Sequence, residues 1–156
     1  MIPQQGPERV KGLYAFRSII DAGARTTLGT DFPVEDMRPL ATFYAAITRL
    51  FYDGDSPQGP GGWFPEQRMT RLEALRGRSY RTRRVLHMLS RLAAVGITID
   101  PAYASFTEDI LGSIEPGKRA DFVVLSQDIM EVPVEEILKT EVLATVMDGV
   151  VVYGKI

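Results

Sequence analysis

The sequence predicts an α/β fold that ends in a β-rich tail, and three observations support this prediction. Residues 7–24 and 36–51 each place apolar side chains at helical spacing. Between them, residues 25–29 form a short β-prone run. The chain closes with two further β-rich runs, at 142–147 and 150–153. Helix, strand and helix in succession are typical of the α/β class.

The first predicted helix ends near Gly23, because glycine readily adopts the backbone conformation that closes a helix. Residues 25–29 are expected to form a strand that stops before Pro33, which has no amide hydrogen to donate to a sheet. Asp31 would therefore lie just past the C-terminal end of that strand. Asp36 can cap the next helix, which carries Pro39 in its first turn. The apolar stripe of that helix comprises Leu40, Phe43, Tyr44, Ile47 and Phe51.

Sequence signals for turns and helix caps occur throughout the rest of the chain. Residues 53–65 are dense in Gly and Pro, so they are predicted to form a loop. Thr70 and Glu73 have the spacing of a capping box at a helix start, and Asp100-Pro101 marks the start of a further helix. A turn at 112–118 then leads into an apolar strand at 120–125, and Asp148-Gly149 favours a tight hairpin at the end of the chain.

Composition restricts the classes of function. The chain has 156 residues, 45% of them hydrophobic, which is the make-up of one folded domain. Its net charge of −2 does not indicate a nucleic-acid partner, and no apolar run is long enough for a membrane-spanning helix. The N-terminus lacks the features of a secretory signal, so a soluble, cytoplasmic protein is expected. There is no cysteine and His87 is the sole histidine, so this chain alone cannot build a His-rich zinc site.

Five segments of the sequence form a pattern that can be compared with known families. They are residues 14–17, 28–35, 62–70, 112–125 and 146–153. Together they resemble the C-terminal part of metal-dependent amidohydrolases of the family 3 type. The glycine-rich turn that runs into an apolar strand and the final hairpin are the more specific segments.

The resemblance implies a fold and a division of the chain. The family fold is an eight-stranded α/β (TIM) barrel whose C-terminal segment returns to a small composite β-sandwich. Residues 1–110 would supply the last barrel strand with its flanking helices, and residues 111–156 the returning strands of the sandwich. A complete barrel takes about 200 residues or more, so this chain would be a fragment of one.

The resemblance also assigns a role to Asp31. In the family, an aspartate at the end of the eighth barrel strand contacts the catalytic divalent metal, expected to be zinc, and takes a proton from the water that attacks the substrate carbonyl. Asp31 is therefore the predicted catalytic and metal-binding residue; judged without the family, it would be a turn or helix-capping residue. The family's other metal ligands, mostly histidines, are absent, and catalytic zinc sites use about three protein ligands. This chain alone is therefore expected to bind no metal and to hydrolyse nothing.

Three other features of the sequence are candidates for a functional role, but none is assigned one. His87 is interpreted as a surface or partly packed residue. Arg17 and Trp63 lie in segments that match the family and could touch substrate, but a solvated charge and a packing residue are the commoner interpretations, so both stay unassigned. Residues 78–97 interrupt the resemblance as an atypical insertion with five arginines and no acidic residue.

These observations leave three hypotheses about function. The leading one is an amidohydrolase-like hydrolase acting on carbon–nitrogen bonds other than peptide bonds, with a small-molecule amide-type substrate, active only when upstream barrel segments are supplied. The alternative is a non-catalytic remnant or interaction module, in which exposed strand edges would favour self-association. The third is an anion-binding module formed by residues 78–97.

Overall fold

The computed structural model describes residues 6–76 and 98–156, which form short helices and one antiparallel sheet. The helices are α1 (Gly6–Val10), α2 (Phe16–Asp21), α3 (Pro39–Thr48), α4 (Arg71–Arg76) and α5 (Ile99–Ala104). Pro65–Gln67 and Val134–Lys139 are 3₁₀-helices. The strands are β1 (Phe122–Leu125), β2 (Val142–Met147) and β3 (Val150–Gly154). This mixture of helices with a sheet agrees with the α/β prediction.

The three strands pair in the order β1-β2-β3, each antiparallel to its neighbour. Met147 pairs with Val150 across a two-residue turn. The turn residues Asp148 and Gly149 have φ values of 51° and 76°, which the tight turn of this type requires at both positions. The predicted hairpin is thus confirmed.

One hydrophobic core joins the helices to the sheet. Its buried members are Ile20, Phe43, Tyr44, Ala46, Met69, Ala74, Leu125, Ile129 and Ile137. Ile129 and Ile137 are completely buried, and they lie between β1 and β2 in the sequence. Because α3 packs against both α4 and the 3₁₀-helix Val134–Lys139, the helical part and the β part share this core.

The prediction of one helix up to Gly23 is correct at its end and wrong in its length. The chain leaves the helical conformation after α1, and Tyr14 has a φ of 52°, which is incompatible with a continuous helix. α2 then closes as predicted, since the amides of Gly23 and Ala24 donate to the carbonyls of Ile20 and Ile19, and Gly23 has a φ of 82°.

The predicted strand at 25–29 is not formed. Within the described part of the chain no strand runs beside these residues, and a strand exists only through hydrogen bonds to a neighbour. The start of α3 also differs in detail. Arg38 is the capping residue, and Asp36 instead accepts hydrogen bonds from the backbone amide and side chain of Arg38. Phe51 lies beyond the end of α3 and is half exposed, so it does not continue the apolar stripe.

Candidate functional site

Asp31 lies in an exposed turn that follows residues 24–30. Its φ is 51°, and its carbonyl accepts a hydrogen bond of 2.9 Å from the amide of Val34. The amide of Phe32 donates to the hydroxyl of Thr30 at 3.3 Å. Asp31 is therefore an exposed residue of a local turn, and the predicted strand does not precede it.

The described residues do not by themselves fit a divalent metal ion. Among residues 6–76 and 98–156, no group of three or more acidic or histidine side chains is arranged to hold one. Asp31 would offer a single carboxylate, and a catalytic zinc ion needs about three protein ligands. Any metal site that uses Asp31 must take its remaining ligands from elsewhere. His87 and the insertion at 78–97 lie outside the described residues.

Arg17 is not a solvated charge but one half of a largely buried ion pair. Its guanidinium donates two hydrogen bonds to the carboxylate of Glu73, whose side chain is only 9% exposed. Arg17 also donates two hydrogen bonds to the carbonyl oxygen of Arg68, from Nη2 at 3.2 Å and from Nε at 3.4 Å. The pair therefore ties α2 to α4 and to the segment that precedes α4.

Glu73 also completes the predicted capping box. Its carboxylate accepts hydrogen bonds from the amide and hydroxyl of Thr70, at 2.8 and 2.7 Å, and its own amide donates to the Thr70 hydroxyl at 3.2 Å. The hydrogen bonds from Arg17 are the main reason that the pKa of Glu73 is lowered from 4.5 to about 2, with burial opposing and the Thr70 bonds assisting. The same contact raises the pKa of Arg17 further above its usual range.

Trp63 is a packing residue within an aromatic cluster. Its ring meets Phe64 edge-on at 4.8 Å between centroids and Tyr14 at 6.0 Å. The guanidinium of Arg49 lies 4.9 Å from the centre of the Trp63 ring, and Arg49 Nε donates to the Trp63 carbonyl at 2.9 Å. Burial lowers the pKa of Arg49, but an arginine remains charged at any physiological pH.

The loop that carries Trp63 is fixed by arginines bound to main-chain carbonyls. Arg68 donates from Nε to the carbonyl of Thr48 at 3.0 Å and from Nη2 to that of Gly61 at 2.6 Å. The backbone amide of Ser18 in α2 donates a hydrogen bond of 3.2 Å to Oε1 of Gln67, which joins the same loop to α2. These contacts give Arg17 and Trp63 structural roles, and neither side chain is joined to Asp31 within the described residues.

The structure also contains a cleft that the sequence did not predict. It has a volume of about 440 Å³ and is lined by residues of α5, of the segment that follows α5, and of strands β1 and β2. Ala102, Phe122 and Val146 are among its lining residues. The hydroxyl of Ser113 is buried there without a hydrogen-bond partner among the described residues. Asp31 does not line this cleft, so the cleft and the predicted site are separate features.

Comparison with known proteins now assigns the chain to a class. Residues 1–153 match the model of the amidohydrolase family, and the chain therefore belongs to that family. It is 32% identical to Protein LONG AFTER FAR-RED 3 of Arabidopsis thaliana over 149 residues, which are 95% of this chain and 21% of that protein. It is also 32% identical to the N-substituted formamide deformylase of Arthrobacter pascens over 143 residues, which are 92% of this chain and 22% of that protein.

The matches cover nearly all of this chain but only a small part of each relative. The chain spans about a fifth of the length of the curated relatives it matches. No solved structure matches the chain. Among the described helices, none combines the length and apolar character needed to cross a membrane. The family membership confirms the resemblance drawn from the five sequence segments.

Proposed function

We propose that this chain is part of a hydrolase that acts on carbon–nitrogen bonds other than peptide bonds in small amide-type molecules. The family match over residues 1–153 is the observation that carries this proposal. The similarity to an N-substituted formamide deformylase supports an amide as the substrate class. Asp31 is the residue that we assign to the chemistry, as a catalytic and metal-contacting carboxylate, because it occupies the position of the family's aspartate in the segment 28–35, and its exposure is compatible with this role.

The proposal includes a division of the chain into two parts. Residues 1–110 would belong to a TIM barrel, and residues 111–156 to a composite β-sandwich. The antiparallel sheet from β1 to β3 supports the second part. The family match, which covers residues 1–153, supports the first.

The remaining groups of the site would come from polypeptide beyond this chain. Two observations support this. The described residues offer too few ligands for a metal ion, and the relatives are about five times as long as the region that matches this chain. The complete protein would then bind the divalent metal, zinc by expectation, while this chain alone would be inactive. Its compartment would be the cytoplasm.

A chimera tests the proposal directly. The stretch of the Arthrobacter pascens deformylase that matches this chain is replaced by the chain, and release of formate from an N-substituted formamide is measured. Activity is expected in the chimera, and Asp31→Asn should lower kcat/KM by about a hundredfold or more, because a positioned carboxylate contributes that much to proton transfer.

The matched control is Glu35→Gln, which removes a neighbouring exposed carboxylate and should leave kcat/KM unchanged. The metal content of the folded chimera is measured in parallel. A folded, metal-loaded chimera in which Asp31→Asn has the activity of the unsubstituted protein would refute the assignment of Asp31.

A second candidate function is an interaction module, and the exposure of β3 favours it. All five residues of β3 are exposed, none of them is charged, and β3 is one of the two outer strands of the described sheet. Exposed apolar edge strands of this kind pair readily with other chains.

Self-association through this edge is tested by sedimentation over a wide range of protein concentration. Val152→Lys should convert any dimer to monomer, because a lysine on an edge strand opposes pairing, whereas Val152→Thr should not. A protein that remains monomeric at every concentration would eliminate self-association through β3.

A further inference from the structure

Side-chain contacts hold the segment that leads to Asp31. Residues 24–30 take part in no helix or strand of the described structure. Thr26 is nevertheless only 8% exposed, and Leu28 packs against the hydrophobic core. Because no sheet ladder fixes this segment within the described structure, its path there depends on the side chains that anchor it.

Arg25 provides the first of these anchors. Its Nη1 lies 3.5 Å from Oδ1 of Asp100. Its guanidinium carbon lies 3.7 Å from the centre of the Tyr103 ring, close enough for a cation–π interaction. Both partners belong to α5, so Arg25 joins the start of the segment to that helix through two different contacts.

The environment of Asp100 makes this anchor more than a surface ion pair. Asp100 is only 2% exposed, and a carboxylate removed from water requires compensating partners. The side chain of Arg25 is 31% exposed, so it covers the carboxylate while keeping part of its own charge in water. An exposed pair would constrain the backbone much less, because solvent competes for both charges.

The constraint is transmitted to Asp31 over a short distance along the chain. Leu28 holds the middle of the segment against the core. The turn that follows is closed locally by the hydrogen bonds from Phe32 to Thr30 and from Val34 to Asp31. The backbone that carries Asp31 is therefore joined directly to the anchored segment.

We infer that Arg25 is a positioning residue for Asp31, because its contacts with Asp100 and Tyr103 fix the start of the segment that presents this carboxylate. The importance of this for catalysis rests on the proposed function. The positioning itself does not, and it can be measured in this chain without any enzymatic assay.

The experiment is ¹⁵N relaxation of the whole chain together with the ¹³Cγ resonance of Asp31. In the unsubstituted protein, backbone order parameters of residues 26–31 are expected near 0.85, the value of rigid backbone. Arg25→Met should lower them below about 0.6 and shift the Asp31 resonance. The order parameters of α3 and of the sheet should not change.

Two milder variants keep the test valid if Arg25→Met does not fold. Arg25→Lys preserves the charge but not the planar group, so it should retain part of the order in residues 26–31. Tyr103→Leu removes only the ring contact, and because Tyr103 is 47% exposed its loss should not unfold the protein. This variant should give a smaller decrease in order than Arg25→Met.

The matched control is Arg9→Met, which removes an exposed arginine from α1. It should leave residues 26–31 and the Asp31 resonance unchanged. Unaltered order parameters in folded Arg25 and Tyr103 variants would overturn the inference, and so would an equal decrease throughout the protein. An inactive chimera would count against the proposed function only, since these measurements do not depend on activity.

Discussion

Replacement of Glu73 by Gln should destabilise the protein more than any exposed ion pair can. Glu73 is buried, accepts both hydrogen bonds from Arg17, and closes the capping box with Thr70. Gln keeps the shape of the side chain and one acceptor oxygen, but it removes the charge. Arg17 would then keep only its longer contact of 3.3 Å with the exposed Asp21, so a partly buried charge would lose its main counter-charge, which is the costly outcome for a pair of this kind.

The magnitude follows from the pKa of Glu73, which is lowered from 4.5 to about 2. A tenfold change in an acid constant corresponds to about 1.4 kcal/mol, so the folded state favours the ionised carboxylate by about 3 kcal/mol. The side chains of Glu73 and Arg17 are 9% and 26% exposed, so solvent screening reduces this value only modestly.

The sign of the pH dependence is fixed by the direction of the pKa change. Because the pKa of Glu73 is lower in the folded protein, its contribution is fully present above about pH 4.5 and is lost as the pH falls toward about 2. The difference in unfolding free energy between the unsubstituted protein and Glu73→Gln should therefore shrink over this range.

Urea unfolding near pH 7 and again near pH 3 measures this difference. The control is Glu8→Gln, which breaks the exposed pair of Glu8 with Lys11 and should cost at most about 0.5 kcal/mol. A Glu73→Gln variant as stable as the Glu8→Gln control near pH 7 would refute the reasoning. A difference that does not decrease on acidification would refute the electrostatic origin of the effect.

Three further substitutions test the packing, each by urea unfolding. Ile137→Ala should cost about 2–5 kcal/mol, because Ile137 is completely buried in the shared core; a cost under about 1 kcal/mol would contradict that burial. Gly112→Ala should destabilise by about 1–3 kcal/mol, since Gly112 has a φ of 85° and a methyl group there would lie 2.8 Å from Ala102 Cβ. A neutral result would show that the backbone at Gly112 lies farther from α5 than the structure indicates. Thr70→Ala should cost about 1 kcal/mol through loss of the cap, and Thr70→Ser should restore most of it.

Several local features could be predicted from the sequence because their causes lie within a few residues. The Thr70 hydroxyl and the Glu73 carboxylate satisfy each other's amides three residues apart, so the spacing alone indicates the helix start. The hairpin at Asp148-Gly149 requires only two residues that tolerate positive φ between β-prone runs. The end of α2 at Gly23 has the same short-range origin.

The errors in the prediction arise where a contact is distant along the chain. Residues 25–29 have the composition of a strand, but a strand needs a hydrogen-bonded neighbour, and none lies beside them in the described structure. The sequence favours a solvated charge at Arg17 because the partner of Arg17, Glu73, is 56 residues away along the chain. Rules based on residue spacing relate only residues a few positions apart, so they do not predict this contact.

The candidate site also depends partly on short-range sequence patterns and partly on distant contacts. Family motifs in the sequence point to Asp31, and the amidohydrolase family is confirmed by the match over residues 1–153. The turn that exposes Asp31 and the contact of Arg25 with Asp100 and Tyr103 required the structure.

By itself, the sequence determined the family, the α/β class, the capping box of Thr70 and Glu73, the end of α2 and the final hairpin, because these depend on residue identity and short spacing. Only the tertiary structure decided which charges are paired and buried, which segments lack a partner strand, and how Arg25 is held against α5. The physical reason is that burial and pairing depend on neighbours in space, and the chain brings those neighbours from segments more than 50 residues apart.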